Sequence, residues 1–137
     1  MCQTTAMEKV NIAERFDRFS QRWQPKIAGE LNDSYVKLVK LEGEFVWHKH
    51  DAEDELFLVV KGTLRMKVRR TSAAQENATT REEEFVINPG EFLIVPRGTE
   101  HLPIADEEVH VVLLEPKSTL NTGDVRNERT VEQLEWV

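Results

Sequence analysis

The chain has 137 residues, 25 Asp plus Glu against 18 Lys plus Arg, and one cysteine, Cys2. That length suits one domain with a sizeable apolar core, and the acidic balance, with no basic run longer than Arg69-Arg70, leaves no nucleic-acid footprint. A lone cysteine excludes an internal disulfide framework and suits a reducing cytoplasm, where Cys2 is expected to be inert. No apolar run approaches the roughly 18 residues of a membrane span, and the N-terminus lacks a basic-then-apolar leader, so neither a span nor a secretory signal is expected.

A helix is predicted over about residues 11–21, where Ile12, Phe16 and Phe19 share one face, Asn11 is an acceptable N-cap and Pro25 closes the segment. The period then changes to that of strands. Tyr35 to Leu41 and Glu44 to His48 read as two short strands broken at Gly43, and Leu56 to Val60 and Leu64 to Val68 as a hairpin turning at Gly62. Thr71 to Glu83 is polar and reads as a surface loop. Phe85 to Asn88 ends in the turn signal Pro89-Gly90, Phe92 to Val95 stops at Pro96, and Val109 to Leu114 is a last apolar run ended by Pro116. Short strands separated by turns indicate an all-β sandwich or barrel, with no internal repeat. The tail at 116–137 contains the polar, turn-forming Leu-Asn-Thr-Gly-Asp-Val-Arg-Asn-Glu-Arg-Thr. It has neither strand nor helix period and is expected to be an ordered loop over the barrel or a neighbouring subunit.

The chemistry-bearing residues fall into two clusters. In the first, His48 and His50 stand two apart, which on a strand presents both imidazoles to one face, roughly 7 Å apart at the backbone. Neutral imidazole is the commonest protein ligand of transition metals. A turn through Asp51 to Asp54 lets Glu55 return along the next strand toward the same point. The second cluster is Gly90, Pro96, Gly98 and His101, a strand followed by a tight turn that re-aims a histidine. Three of the four histidines therefore lie in the two clusters.

Together these clusters resemble the two signature motifs of the cupin family. His48, His50, Glu55 and Gly62 match the first, with four residues between His50 and Glu55 and six between Glu55 and Gly62. The opening glycine, Gly43, lies five residues before His48, one fewer than is usual. Gly90, Pro96, Gly98 and His101 match the second at every spacing, but Ala105 stands where that motif has Asn. The resemblance spans about residues 35–115, and the tail is similar to that of small single-domain bacterial cupins.

The resemblance implies a single domain over 1–137: a jelly-roll β-barrel (double-stranded β-helix) with a short N-terminal helix. It implies one divalent metal ion on His48, His50, Glu55 and His101, with the six-residue spacing to Gly62 selecting Glu55 over Glu53 and Asp54. Imidazole and carboxylate donors suit Fe, Mn, Ni, Co or Zn. Phe57 and Val59 share strand parity with Glu55 and are candidate pocket lining, as are Tyr35 and Lys37. By the same parity Phe45 and Trp47 should face away from the metal. Arg97 and Glu100 are read as surface charge at the turn, Glu53 and Asp54 as solvated acids, and His110 as a packed or surface histidine. The implied function is a metal-dependent enzyme of oxygenase, isomerase or lyase type acting on a small polar molecule. The alternative is a non-catalytic module that binds or senses a small ligand or metal, the ion being partly structural. A homodimer is expected, since sheet edges need covering, with the helical lead, Trp23 or Trp136 as interface candidates.

Overall fold

A computed structural model describes residues 7–71 and 80–137. The chain opens with α1 (Ile12–Phe16), followed by β1 (Lys26–Leu31), β2 (Ser34–Glu44), β3 (Glu55–Lys61), β4 (Leu64–Thr71), β5 (Thr80–Ile87), β6 (Phe92–Val95) and β7 (Glu100–Pro116). All pairings between these strands are antiparallel. The long strand β7 organises the barrel. Its C-terminal half lies between β2 and β3 in the order β1-β2-β7-β3-β6, while its N-terminal half pairs with β4, which in turn pairs with β5. Two layers joined through one bent strand make the jelly roll. Between them lies a core that includes Val39, Leu41, Phe57, Val59, Met66, Val111 and Leu113.

Alternation explains this core. On β7, Val109, Val111, Leu113 and Glu115 point inward, and His110 and Leu114 are less buried between them. The outer face of the larger sheet carries a second apolar cluster of Phe16, Leu38 and Val112, flanked by Phe19, Val36, Leu58 and Val137. Helix α1 covers that face. Among the described residues no helix is long and apolar enough to cross a membrane.

Several sequence expectations require correction. The helix has five residues and stops at Asp17, although Asn11 does cap it by accepting from Glu14 N at 3.0 Å. Beyond Phe16 the backbone tightens to i→i−3 bonds (Arg18 N to Arg15 O, Phe19 N to Phe16 O), because Phe16 is the helix residue that finds a buried partner. Strand β1 carries no clear strand signal in its charged sequence. Gly43 does not break a strand: β2 continues through it with a register shift against β7 between Leu41 and Gly43, and 45–47 form no strand. Strands β3 and β4 form no hairpin. Gly62, at φ +82°, instead passes the chain from one sheet to the other, each strand pairing with a different half of β7. A Cβ there would stand 2.9 Å from Glu108 O, so the crossover requires glycine. Of the polar segment expected to be loop, Thr80–Glu83 belong to β5 opposite Arg69, Arg70, Val68 and Thr71, and 72–79 lie outside the described residues. The last strand begins at Glu100, well before Val109.

Candidate metal centre

The first histidine cluster is not on a strand. It is held by a single antiparallel bridge in which His101 N donates to His48 O at 2.8 Å and His48 N to His101 O at 3.1 Å. The Pro96–Gly98 turn adds Gly98 N to His50 O at 2.7 Å, and Asp54 anchors that turn by accepting from Arg97 N at 2.9 Å. Two clusters separated by some fifty residues of sequence are thus tied backbone to backbone. Glu55 opens β3 opposite Val95 and shares inward parity with Phe57 and Val59.

These contacts bring His48, His50, Glu55 and His101 together, each buried, with one donor atom from each within 4.8 Å of the others. Nε2 of His50 and Nε2 of His101 each lie 3.3 Å from Glu55 Oε1. Ligands about 2.1 Å from a common ion are separated by about 3.0–3.4 Å when adjacent. His48 Nδ1–H donates to Val46 O and His101 Nδ1–H to Thr99 O, both at 2.9 Å, which turns each Nε2 lone pair toward the centre. Both ring nitrogens of His50, Nε2 of His101 and Oε1 of Glu55 are buried with no hydrogen-bond partner. Buried polar atoms are rarely left so, and a divalent cation would satisfy the converging donors. The buried His-His-Glu-His cluster therefore fits a metal site.

The electrostatics are those of a ligand set ready for a cation. Burial, with the His101 imidazole beside it, pushes the His48 pKa down to about 4, so the ring is neutral at physiological pH. Burial alone would push the Glu55 carboxyl up. The approach of Glu115 and of the His101 and His50 imidazoles outweighs that and holds it well below the usual carboxylate range. The neighbouring Glu115 takes the opposite share, pushed well above that range by burial and then by the Glu55 charge.

A narrow cleft opens onto His48 and Glu55 of this cluster, with about 40 Å³ of space open to a water-sized molecule. Its walls are mostly apolar, with Trp23, Leu41, Phe45, Phe57 and Leu113 around His48, Glu55 and Glu115. Of the residues expected to line a pocket, Phe57 lies in this wall. Val59 is deeper in the core, fully buried. Lys37 is buried behind the wall and donates to Glu115 Oε1 at 2.7 Å. Tyr35, although on the same strand face, stands at the barrel end in a separate groove with Lys117 and Trp136. Phe45 does not face away from the site: its ring meets His48 edge-on at 5.2 Å. Strand parity cannot apply where 45–47 have left the sheet, and Trp47 packs instead under Arg69. Trp23 is a cavity wall residue stacked on Phe45 at 4.9 Å. Sequence reasoning missed Glu115, which the alternation Val109, Val111, Leu113 marks as inward.

A family model described as a cupin domain matches residues 35–116. The Bacillus subtilis (strain 168) protein YdbB is 33% identical over 72 residues, 53% of this chain and 54% of YdbB, so the match spans about half of that relative's length. A crystal structure of a cupin-2 domain containing protein from Shewanella frigidimarina superposes with a TM-score of 0.67 at 37% identity, covering 79% of this chain and 94% of that one. A hydroquinone 1,2-dioxygenase from Sphingomonas sp. TTNP3, solved with 4-hydroxybenzoate bound, superposes with a TM-score of 0.67 over 81% of this chain and 32% of its own. At 19% identity, that last likeness is one of fold.

Proposed function

Because this chain belongs to the cupin family, its family match covering more than half of the sequence, we propose that it is a metal-dependent enzyme acting on a small molecule. One observation carries the reading: a buried four-residue ligand set has unsatisfied donor atoms, and two of its members, His48 and Glu55, line a narrow cleft. A structural ion needs no such access, whereas a catalytic one needs a free position and a path to it. His48, His50, Glu55 and His101 would hold the ion, with Fe, Mn, Ni, Co and Zn all compatible with the donors. When bound there, the ion would supply Lewis acidity toward a ligand oxygen or, if iron, redox chemistry.

The chain's own residues supply the rest. Trp23, Phe45, Phe57 and Leu113 exclude water and favour a ligand with an apolar body and a polar head over one polar all round. Glu115 Oε2 is buried without a hydrogen-bond partner. Lys37 fixes the other oxygen of that carboxyl. On this reading Oε2 would be the atom that takes or gives a proton at a ligand bound in the cleft. Homodimerisation belongs to the same proposal, supported by Phe92 and Ile94, which stand exposed on the edge strand β6.

Metal analysis of the purified chain, with anaerobic Fe(II) loading and then oxygen uptake over a panel of small acids and phenols, tests the reading. One tightly held ion per chain with turnover of any panel member is the expected result. Saturable ligand uptake without product would favour a binding or sensing module, and absence of any bound ion after loading would remove the metal altogether.

A further inference from the structure

The polar tail that follows β7 makes bonds that packing alone does not require. Lys49 is the residue between the two histidines of the first cluster, and Asp124 engages both of its backbone groups. Lys49 N donates to Asp124 Oδ1 at 3.0 Å, and Asp124 N donates to Lys49 O at 3.1 Å. Those two groups belong to the peptide planes joining His48 to Lys49 and Lys49 to His50, the planes that orient the ligand Cα–Cβ bonds. On their other side, His48 and His50 are fastened to His101 and Gly98. The ligand backbone is therefore gripped from both sides.

Gly123 makes the approach possible. Its φ is +58°, and a Cβ there would overlap the Lys49 carbonyl, 2.9 Å from the carbon, and stand 3.2 Å from His48 Cδ2. The segment is braced internally so that this contact is not a loose one. The Asn121 amide donates to Arg129 O at 2.7 Å and accepts from Val131 N at 2.9 Å, and the Thr122 and Thr130 hydroxyls meet at 2.8 Å. Arg129 donates to Glu44 O at 2.7 Å and lies 4.6 Å over the Trp23 ring, tying the segment's far end to the cleft wall.

We propose that Asn121–Thr130 is a positioning strap, in which Asp124 and Gly123 hold the His48–Lys49–His50 backbone in the geometry that metal binding needs. The proposal rests on the metal reading above and concerns residues outside the ligand set. Backbone clamps of this kind act as the outer shell of a metal site, whose loss usually weakens binding about tenfold or more.

The test is titration of the metal-free full chain with cobalt(II) chloride, following the visible d–d band, alongside thermal unfolding of the apo protein. Asp124 is exposed, so its truncation should leave the barrel folded. Gly123→Ala, which forces the strap off Lys49, should give the larger effect. Asp124→Ala is expected to bind Co(II) about tenfold more weakly and to change the band shape. Asp124→Asn, which retains an acceptor for Lys49 N–H, should recover affinity and band. Arg126→Ala, which removes an exposed ion pair with Glu132 in the same strap, should match the wild type. Wild-type affinity and spectrum in Asp124→Ala would overturn the strap's role and leave the metal reading standing, as would an equal loss in Arg126→Ala. Failure of the wild type itself to bind Co(II) would overturn both.

Discussion

Two regions of the molecule use histidine in opposite ways. On the outer face of the larger sheet, the His110 ring stacks on Phe16 at 4.6 Å and 16°, and its Nε2 stands 3.3 Å from Glu108 Oε2. Inside the barrel, His50 has neither ring nitrogen satisfied, and it faces a carboxylate and two further imidazoles. Burial does not separate the two cases as well as satisfaction does. A histidine whose ring is stacked and whose nitrogen has a partner is finished as a packing element. One whose nitrogens converge with other unsatisfied donors fits a cation.

Removing a member of the inner set is the strongest way to break that contrast. His101→Ala should weaken binding of any first-row divalent ion by more than about a hundredfold, beyond the loss typical of outer-shell partners, as read by metal titration of the apo chain. It also deletes the ring 4.2 Å from His48. Retention of near-wild-type affinity would show that these donors do not converge on an ion. The next largest effect concerns Lys37 and Glu115, buried at 1% and 2% exposure. Lys37→Met keeps the apolar stem but removes the cation that opposes the rise of the Glu115 pKa, and its cost in urea unfolding, up to about 3 kcal/mol, should be greatest at alkaline pH, where the unpaired carboxylate is charged. The loss should shrink as pH falls and Glu115 takes up a proton. An unchanged midpoint would mean that the pair contributes nothing to the barrel.

How much of this could be read from the sequence depended on whether the cause was local. The gathering of His48, His50, Glu55 and His101 into one buried cluster was legible because motif spacing is a local feature, and turn residues such as Pro96 and Gly98 are themselves local signals. Partner choice was not legible. Gly62 announces a turn, but whether β3 pairs with β4 is decided by β7, some forty residues later, which offers each a separate half. The parity argument for Phe45 failed for a related reason: β2 ends at Glu44, so alternation has no strand to follow. Charged strands were also hard to see, as with β1 and the Thr80–Glu83 half of β5, whose Glu82 and Glu83 face Arg69 and Val68 across the ladder. Glu115 was readable in principle. It shares strand parity with Leu113, but the Pro116 that follows it is a strand-end signal.

The apo protein's pH dependence sharpens the comparison further. His48 titrates near 4 in the fold against 6.5 in the unfolded chain. Between those values the unfolded state binds a proton that the folded state refuses, so this contribution is complete above about pH 6.5 and is lost as pH falls toward 4. It amounts to about 3 kcal/mol. Glu115, with its pKa raised, has the opposite slope from about 4.5 upward. The His48 part is therefore isolated as the difference between the wild type and His48→Gln in metal-free urea unfolding at pH 7 and pH 4.5. The wild type should lose more stability than the variant, and an equal loss would show that the His48 ring is solvated.

The smallest effect is expected on the outer face. His110→Ala removes a ring stacked on Phe16 and a hydrogen-bond partner for Glu108, which Arg22 also holds, with Arg22 Nε 3.0 Å from Glu108 Oε1. Since Glu108 keeps that guanidinium, the cost is mainly the stacking and the buried ring face, about 1 kcal/mol, measured as a shift in urea midpoint. The cation titration should be unchanged within error, because β7 parity points residue 110 away from Val109 and Val111 and from the core they fill. A loss of metal affinity in His110→Ala approaching that of His101→Ala would mean that the two faces of β7 are coupled. Satisfaction of a ring's nitrogens would then no longer separate a packing histidine from a ligand.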